Sequence, residues 1–247
     1  MERKPKPMRL IGQVKSFTPM LILFLALFLG SLAGFNLCEI NRDFADLLAF
    51  KREVPWSLVT ALFVHLNREQ HLYPNLQGLA AFTLVFFTST TLLSIIAGNP
   101  SKAAWRLSWG YVFTALIPHI LILTIQAELS PVGTRFFGLS LATFGLYGYS
   151  LIITLWAGGS LVAIAVKIWR ISASLRKDLY YAFTLVLLSL IILLYPFIEL
   201  GSFLAFLGFG KPQANVIGHL AAFLAGMVIG FPVLTLTCKK PFILQKI

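Results

Sequence analysis

Ser140, His219, His71 and Asn75 are the side chains whose types and placement suit chemistry on a carbonyl group. A serine hydroxyl attacks nothing until a base takes its proton, and a neutral imidazole is the usual base, so Ser140 and His219 supply a nucleophile and its activator. The tetrahedral adduct of acyl transfer then needs hydrogen-bond donors aimed at its oxyanion. His71, Asn75 and the backbone N–H of Ser140 are the candidate donors, with His71 and Asn75 four residues apart and so on one face of a helix. Ser140 sits in "GLSLATFGLYGY", inside a long apolar run, where a polar group costs free energy unless it has a partner or a task. The bland alternative is a hydroxyl bonded back to a carbonyl of its own helix.

The elements that must hold these residues are membrane spans. The chain has 247 residues, 58% of them hydrophobic and 12% charged, with a mean hydropathy of +0.84, too little polar surface to cover a water-soluble core. A span needs about 20 apolar residues, and six windows qualify, at 19–37, 72–96, 109–127, 138–156, 180–198 and 215–236. They are apolar on all faces, which excludes a transmembrane barrel with its period-two alternation. The expected fold is therefore an all-α polytopic membrane protein of six transmembrane helices. Its membrane domain is 19–238, between basic tails at 1–18 and 239–247. The first segment reads as a span and not as a cleaved signal peptide, since its apolar stretch is long and no small-residue cleavage site follows. The end of the fourth span stays open between 156 and 169, because the apolar run continues past Gly158 and Gly159, where the helix can break.

Charge sets the expected orientation. With the N-terminus inside, fourteen of the twenty Lys and Arg residues fall on the inner face, and seven of the nine acids fall on the other. The positive-inside rule then puts both termini in the cytoplasm of an integral multi-pass protein, expected in the cell membrane. The first loop, 39–70, becomes an outer-face feature, and its "DFADLLAF" and "VPWSLVTALFVH" are amphipathic enough to lie on the membrane surface. Cys38 and Cys238 end the first and last spans, on opposite faces, and should not pair.

In this topology the second, fourth and sixth spans all start at the outer face, with His71 and Asn75, Ser140, and His219 near their respective starts. Ser140, Phe144 and Gly148 recur every four residues along the fourth span, and Ala222, Gly226 and Gly230 follow His219 along the sixth. Such small-residue stripes let membrane helices approach backbone to backbone, and Phe144 is placed to cover the His219 ring.

With these motifs in view, the sequence resembles the rhomboid intramembrane serine proteases. The resemblance covers the six spans and the first loop and is carried by "PWSLVTALFVHLNREQHLYPN", "GLSLATFGLYGY" and "GHLAAFLAGMVIG", in that order. It implies a rhomboid-like bundle in which Ser140 is the nucleophile, His219 the base, and His71, Asn75 and Ser140 the oxyanion donors. Gly138, Leu141, Phe144, Gly148, Ala222 and Gly226 then pack the site. Leu141 and Ala222 stand where the family usually has glycine, Phe144 where tyrosine is common, and the spacing from His65 to His71 is one residue longer than usual. The implied activity is hydrolysis of a peptide bond in single-span transmembrane proteins that enter laterally between spans two and five, past a gate formed by span five and the loop 199–212. The implied partners are those substrates and the lipid bilayer. Two rivals stand beside it: a rhomboid-like protein that binds membrane clients without cutting them, favoured by Leu141, and a transporter, disfavoured by the lack of an inverted repeat.

Other side chains receive structural assignments. His119 has no motif around it, His65 is an interfacial or loop-ordering residue, and Glu128, Arg135 and Glu199 sit at span ends where they reach water. No cofactor, metal cluster, phosphate-cradling loop or nucleic-acid surface is indicated.

Overall fold

The computed structural model describes residues 15–65, 67–97, 99–168, 173–197 and 215–238. Among them there are helices and turns and no strands. The first long helix, α1 (Thr18–Ile40), has Pro19 in its first turn, where the missing N–H is no loss. Two short helices, α2 (Asp43–Leu48) and α3 (Ser57–Thr60), and a 3₁₀ turn (Ala61–Phe63) follow, and a π turn (Arg68–Leu72) leads into α4 (Tyr73–Ile96). Then come α5 (Pro100–Leu129), α6 (Ser140–Ile168), α7 (Ala173–Leu194) with a terminal 3₁₀ turn (Tyr195–Phe197), and α8 (Val216–Thr237). Six segments of these are long and apolar enough to cross a membrane, and their outward faces carry exposed Leu, Ile, Val and Phe side chains. The chain is a multi-pass helical membrane protein.

The fourth span is one unbroken helix to Ile168, so Gly158 and Gly159 do not break it. The third begins at Pro100, nine residues before its apolar window. Asn99 explains that start, since its side chain accepts from the Lys102 N–H at 3.2 Å and Pro100 occupies the first turn.

The centre of the bundle is α6, which packs against α4, α5, α7 and α8, most extensively against α8. The small-residue stripes explain the α6–α8 contact: a Cβ at Gly148 would collide with the Phe223 carbonyl, and one at Gly226 with the Gly145 carbonyl. Helix backbones that touch this closely exchange Cα–H···O contacts and dense dispersion, the forces that hold helices together in lipid. On its other faces Gly145 rests on the Thr114 carbonyl of α5, an acceptor that receives no helical N–H because Pro118 stands four residues on. Polar links complete the anchoring: Tyr149 Oη donates to the Leu107 carbonyl at 2.9 Å, Ser150 Oγ to the Phe82 carbonyl at 3.1 Å, and Ser89 and Thr154 hydroxyls meet at 2.8 Å. These bonds satisfy buried hydroxyls where no water is at hand.

The first loop is a folded feature. It lies back on α1, with the Phe63 carbonyl against Gly34, where a Cβ would clash. Phe50 and Phe136 exchange backbone hydrogen bonds of 2.9 and 3.0 Å, which ties the loop to the segment entering α6. His119, the residue without a motif, brings Nε2 to 3.0 Å from the Leu58 carbonyl and so pins the same loop to α5. Ion pairs Arg52–Glu128 and Arg135–Asp46 join loop and span ends at the exposed rim, a position that makes their net stabilisation small.

Candidate active site

Three helix starts meet at one end of the bundle. Gly138 precedes α6 with φ of 105°, a left-handed conformation that glycine adopts without strain. Its N–H donates to the Ala61 carbonyl at 2.8 Å, and a Cβ there would strike the His71 imidazole. The sharp turn at Gly138 thus does two things: it releases the chain into α6 at Ser140, and it lets the His71 ring lie against the backbone beside that serine. Ser140 is partly buried, opens α6, and presents the unpaired N–H groups of a helix start, whose dipole favours developing negative charge.

His71 lies in the π turn, where the Leu72 N–H reaches back five residues to the Asn67 carbonyl at 3.0 Å. A π turn holds one residue more than an α turn. Asn67 caps this turn through its side chain, accepting from the Gln70 N–H at 2.7 Å. Asn75, one turn on, is buried and donates Nδ2 to the His71 carbonyl at 2.8 Å. That bond fixes the amide and leaves the second N–H of Nδ2 for another acceptor.

His219 is in the first turn of α8, with its N–H on the Asn215 carbonyl at 2.8 Å. Its imidazole stacks on Phe144, ring centroids 4.4 Å apart and planes 12° from parallel. Phe144 is one turn beyond Ser140 on the same face of α6, so the serine, the phenylalanine and the histidine form one continuous surface. His71 and His219 are close enough for a charge on one to be felt by the other. Asn215 is itself held by a reciprocal amide pair: Gln126 Nε2 donates to Asn215 Oδ1 and Asn215 Nδ2 to Gln126 Oε1, each at 2.7 Å, while Asn215 Oδ1 also accepts from the Gly218 N–H at 2.9 Å. Gln126 in α5 thereby sets the start of α8, and with it the depth of His219.

Leu141, directly after Ser140, is buried at 2% exposure in an apolar cluster with Phe50, Phe144, Tyr147, Ala222 and Phe223. Its side chain packs into the core beneath Ser140. Ala222 is fully buried in the same cluster, and Gly148 and Gly226 make the backbone contacts described above.

One residue belongs here that the sequence assigns only to the interface or the loop. His65 is buried at 3% exposure and stands edge-on to His71, centroids 4.9 Å apart and planes at 65°. Both its ring nitrogens are buried without a hydrogen-bond partner among the described residues. Burial, and secondarily the neighbouring His71, lower its pKa to about 3, so it is neutral at physiological pH and buttresses His71 without charge. The pair of histidines in "HLNREQH" was a signal for this, but the burial of His65 left none. The gate loop 199–212 expected over the site, Glu199 included, lies outside the described residues, as do residues 1–14 and 239–247 of the tails. The span that leads to that loop is tied at its end by a hydrogen bond from Tyr147 Oη to the Leu193 carbonyl. Among the described residues no group of three or more His, Cys, Asp and Glu forms a metal site.

No known family, curated protein or solved structure matches this chain.

Proposed function

We propose that this protein is an intramembrane serine protease of rhomboid type, hydrolysing peptide bonds of single-span membrane proteins. The observation that carries the reading is the meeting of Gly138–Ser140, His71 and His219 at one end of the bundle, from three separate helices, with Phe144 stacked on His219. Ser140 Oγ attacks the scissile carbonyl while His219 takes its proton and later returns it to the leaving amine. The oxyanion is met by the Ser140 N–H, His71 and the second N–H of Asn75 Nδ2, donors fixed before the reaction begins. Water then hydrolyses the acyl-enzyme by the same base. Substrate enters between α4 and α7, whose end must part from Tyr147 for the helix to be admitted. On this reading the site faces outward and both termini are cytoplasmic.

Leu141, buried directly after Ser140 where rhomboid proteases usually carry glycine, favours a second reading, a client-binding protein of the same architecture that does not cut. Labelling by a fluorophosphonate probe in lipid separates the two. The parent reacts, and Ser140→Ala and His219→Ala each lower labelling at least about 100-fold, the scale of a lost base or nucleophile. A folded parent that stays unlabelled in lipid makes the binding reading the correct one.

A further inference from the structure

The other end of the bundle carries an open cavity of about 380 Å³. Its walls are Ile96 and Ala97 at the end of α4, Trp156, Gly159, Ser160 and Ala163 on the second half of α6, and Cys238 just past α8. A Cβ built on Gly159 meets nothing within 4 Å, so the space extends to the α6 backbone. The lining is mostly apolar, with Ser160 and Cys238 as its polar members, and an open apolar cavity beside membrane spans suits hydrocarbon.

The helix starts and ends next to this cavity are charged. Lys102 and Arg106 stand one turn apart on one face of α5, both exposed, and neither belongs to an ion pair among the described residues. Lys102 follows cavity-lining Ala97 by only five positions. Arg106 reaches across to α8, donating from Nη1 to the Leu236 carbonyl at 2.8 Å, two residues before Cys238. Exposed Trp105 and Trp109 lie on the same stretch of α5, the aromatic pattern of a headgroup boundary. Among the described residues, Lys15 just before α1 and Arg176 and Lys177 near the start of α7 add positive charge at this end, against Asp178.

We propose that this cavity binds one acyl chain of an anionic phospholipid, whose headgroup phosphate is met by Lys102 and Arg106. Hydrocarbon selects the cavity and charge selects the lipid: a zwitterionic headgroup carries its own cation, whereas an anionic one neutralises the two side chains. The site is independent of the chemistry at Ser140.

Trp156 in the cavity wall makes occupancy measurable. The full chain is reconstituted in vesicles of unlabelled phosphatidylcholine with a minor fraction of chain-brominated phosphatidylglycerol or chain-brominated phosphatidylcholine. The difference in fluorescence between the parent and Trp156→Phe isolates quenching of Trp156. Brominated phosphatidylglycerol is expected to quench with an apparent affinity about fivefold or more above that of the phosphatidylcholine. Gly159→Leu, which fills open space, abolishes that excess, and so does Lys102→Gln with Arg106→Gln. Should Gly159→Leu fail to fold by circular dichroism, Ala163→Leu obstructs the same wall. Equal quenching by the two lipids in the parent overturns the site. So does an excess that survives the cavity-filling change, since the headgroup would then be held on the surface with no chain in the cavity.

Discussion

At His65 an imidazole is buried beside a second imidazole with neither of its nitrogens bonded among the described residues. In the unfolded chain its pKa is about 6.5, and in the folded chain it is about 3. Between those values the unfolded state holds a proton that the folded state does not, so stability falls as the pH drops through that window. His65→Phe keeps a ring edge-on to His71 and has no proton to gain. Melting in detergent at about pH 7.5 and about pH 4.5 should show a smaller acid-induced loss in this variant than in the parent, and equal losses in both would acquit His65. Individual residues of the site were unevenly legible. Ser140, His71 and His219 announce themselves because a polar side chain in an apolar run is conspicuous. His65 did not, because its burial depends on Phe63 folding back onto Gly34, a long-range contact that no local pattern encodes.

Helix starts decide which side chains meet, and asparagine caps set several of them. Asn67, Asn99 and Asn215 each accept from a backbone N–H three residues on. Asn215 is doubly committed, to the α8 cap and to Gln126, which makes the depth of His219 a property of α5 as well as α8. Asn215→Ser keeps a capping oxygen but loses the amide pair, and Asn215→Ala loses both. Stability should therefore fall in two steps of about 1 kcal/mol each, and fluorophosphonate labelling of Ser140 should slow in the same order. Labelling that is unchanged in both variants would show that the amide pair does not set His219. Hydropathy found all six helices, because a continuous apolar run is the one pattern that survives without knowledge of neighbours. It missed the extra turns of α5 that carry Lys102 and Arg106, since charged first turns fall below any apolar threshold, and it left the end of α6 open where Gly158 and Gly159 sit in unbroken helix.

Across the whole molecule, charge and chemistry occupy opposite ends. Ser140, His71 and His219 lie at the end where most of the acids fall, and the cavity lies at the cationic end. Cys38 and Cys238 are unpaired, as their separation by the length of the bundle requires. Single cysteines placed on exposed positions in a background lacking both native thiols test the orientation: Val132→Cys should react with an impermeant maleimide in intact cells, and Lys102→Cys only after permeabilisation. The reverse pattern would turn the site toward the cytoplasm. The six-span arrangement was readable in outline because apolar runs and span parity need no packing detail, while the central position of α6 had to come from the contacts themselves.

That central position bears on how the protein is made. The glycine face of α6 is covered by α8, the last of the six spans to leave the ribosome, and the same helix delivers His219. Until it arrives, Ser140 sits on a helix with one flank open to lipid and no His219 near it. On the proposed mechanism, synthesis order works as a safety catch: a nascent or truncated chain can be inserted and largely folded yet remain chemically silent, and the proposed centre is assembled only when the sixth span docks.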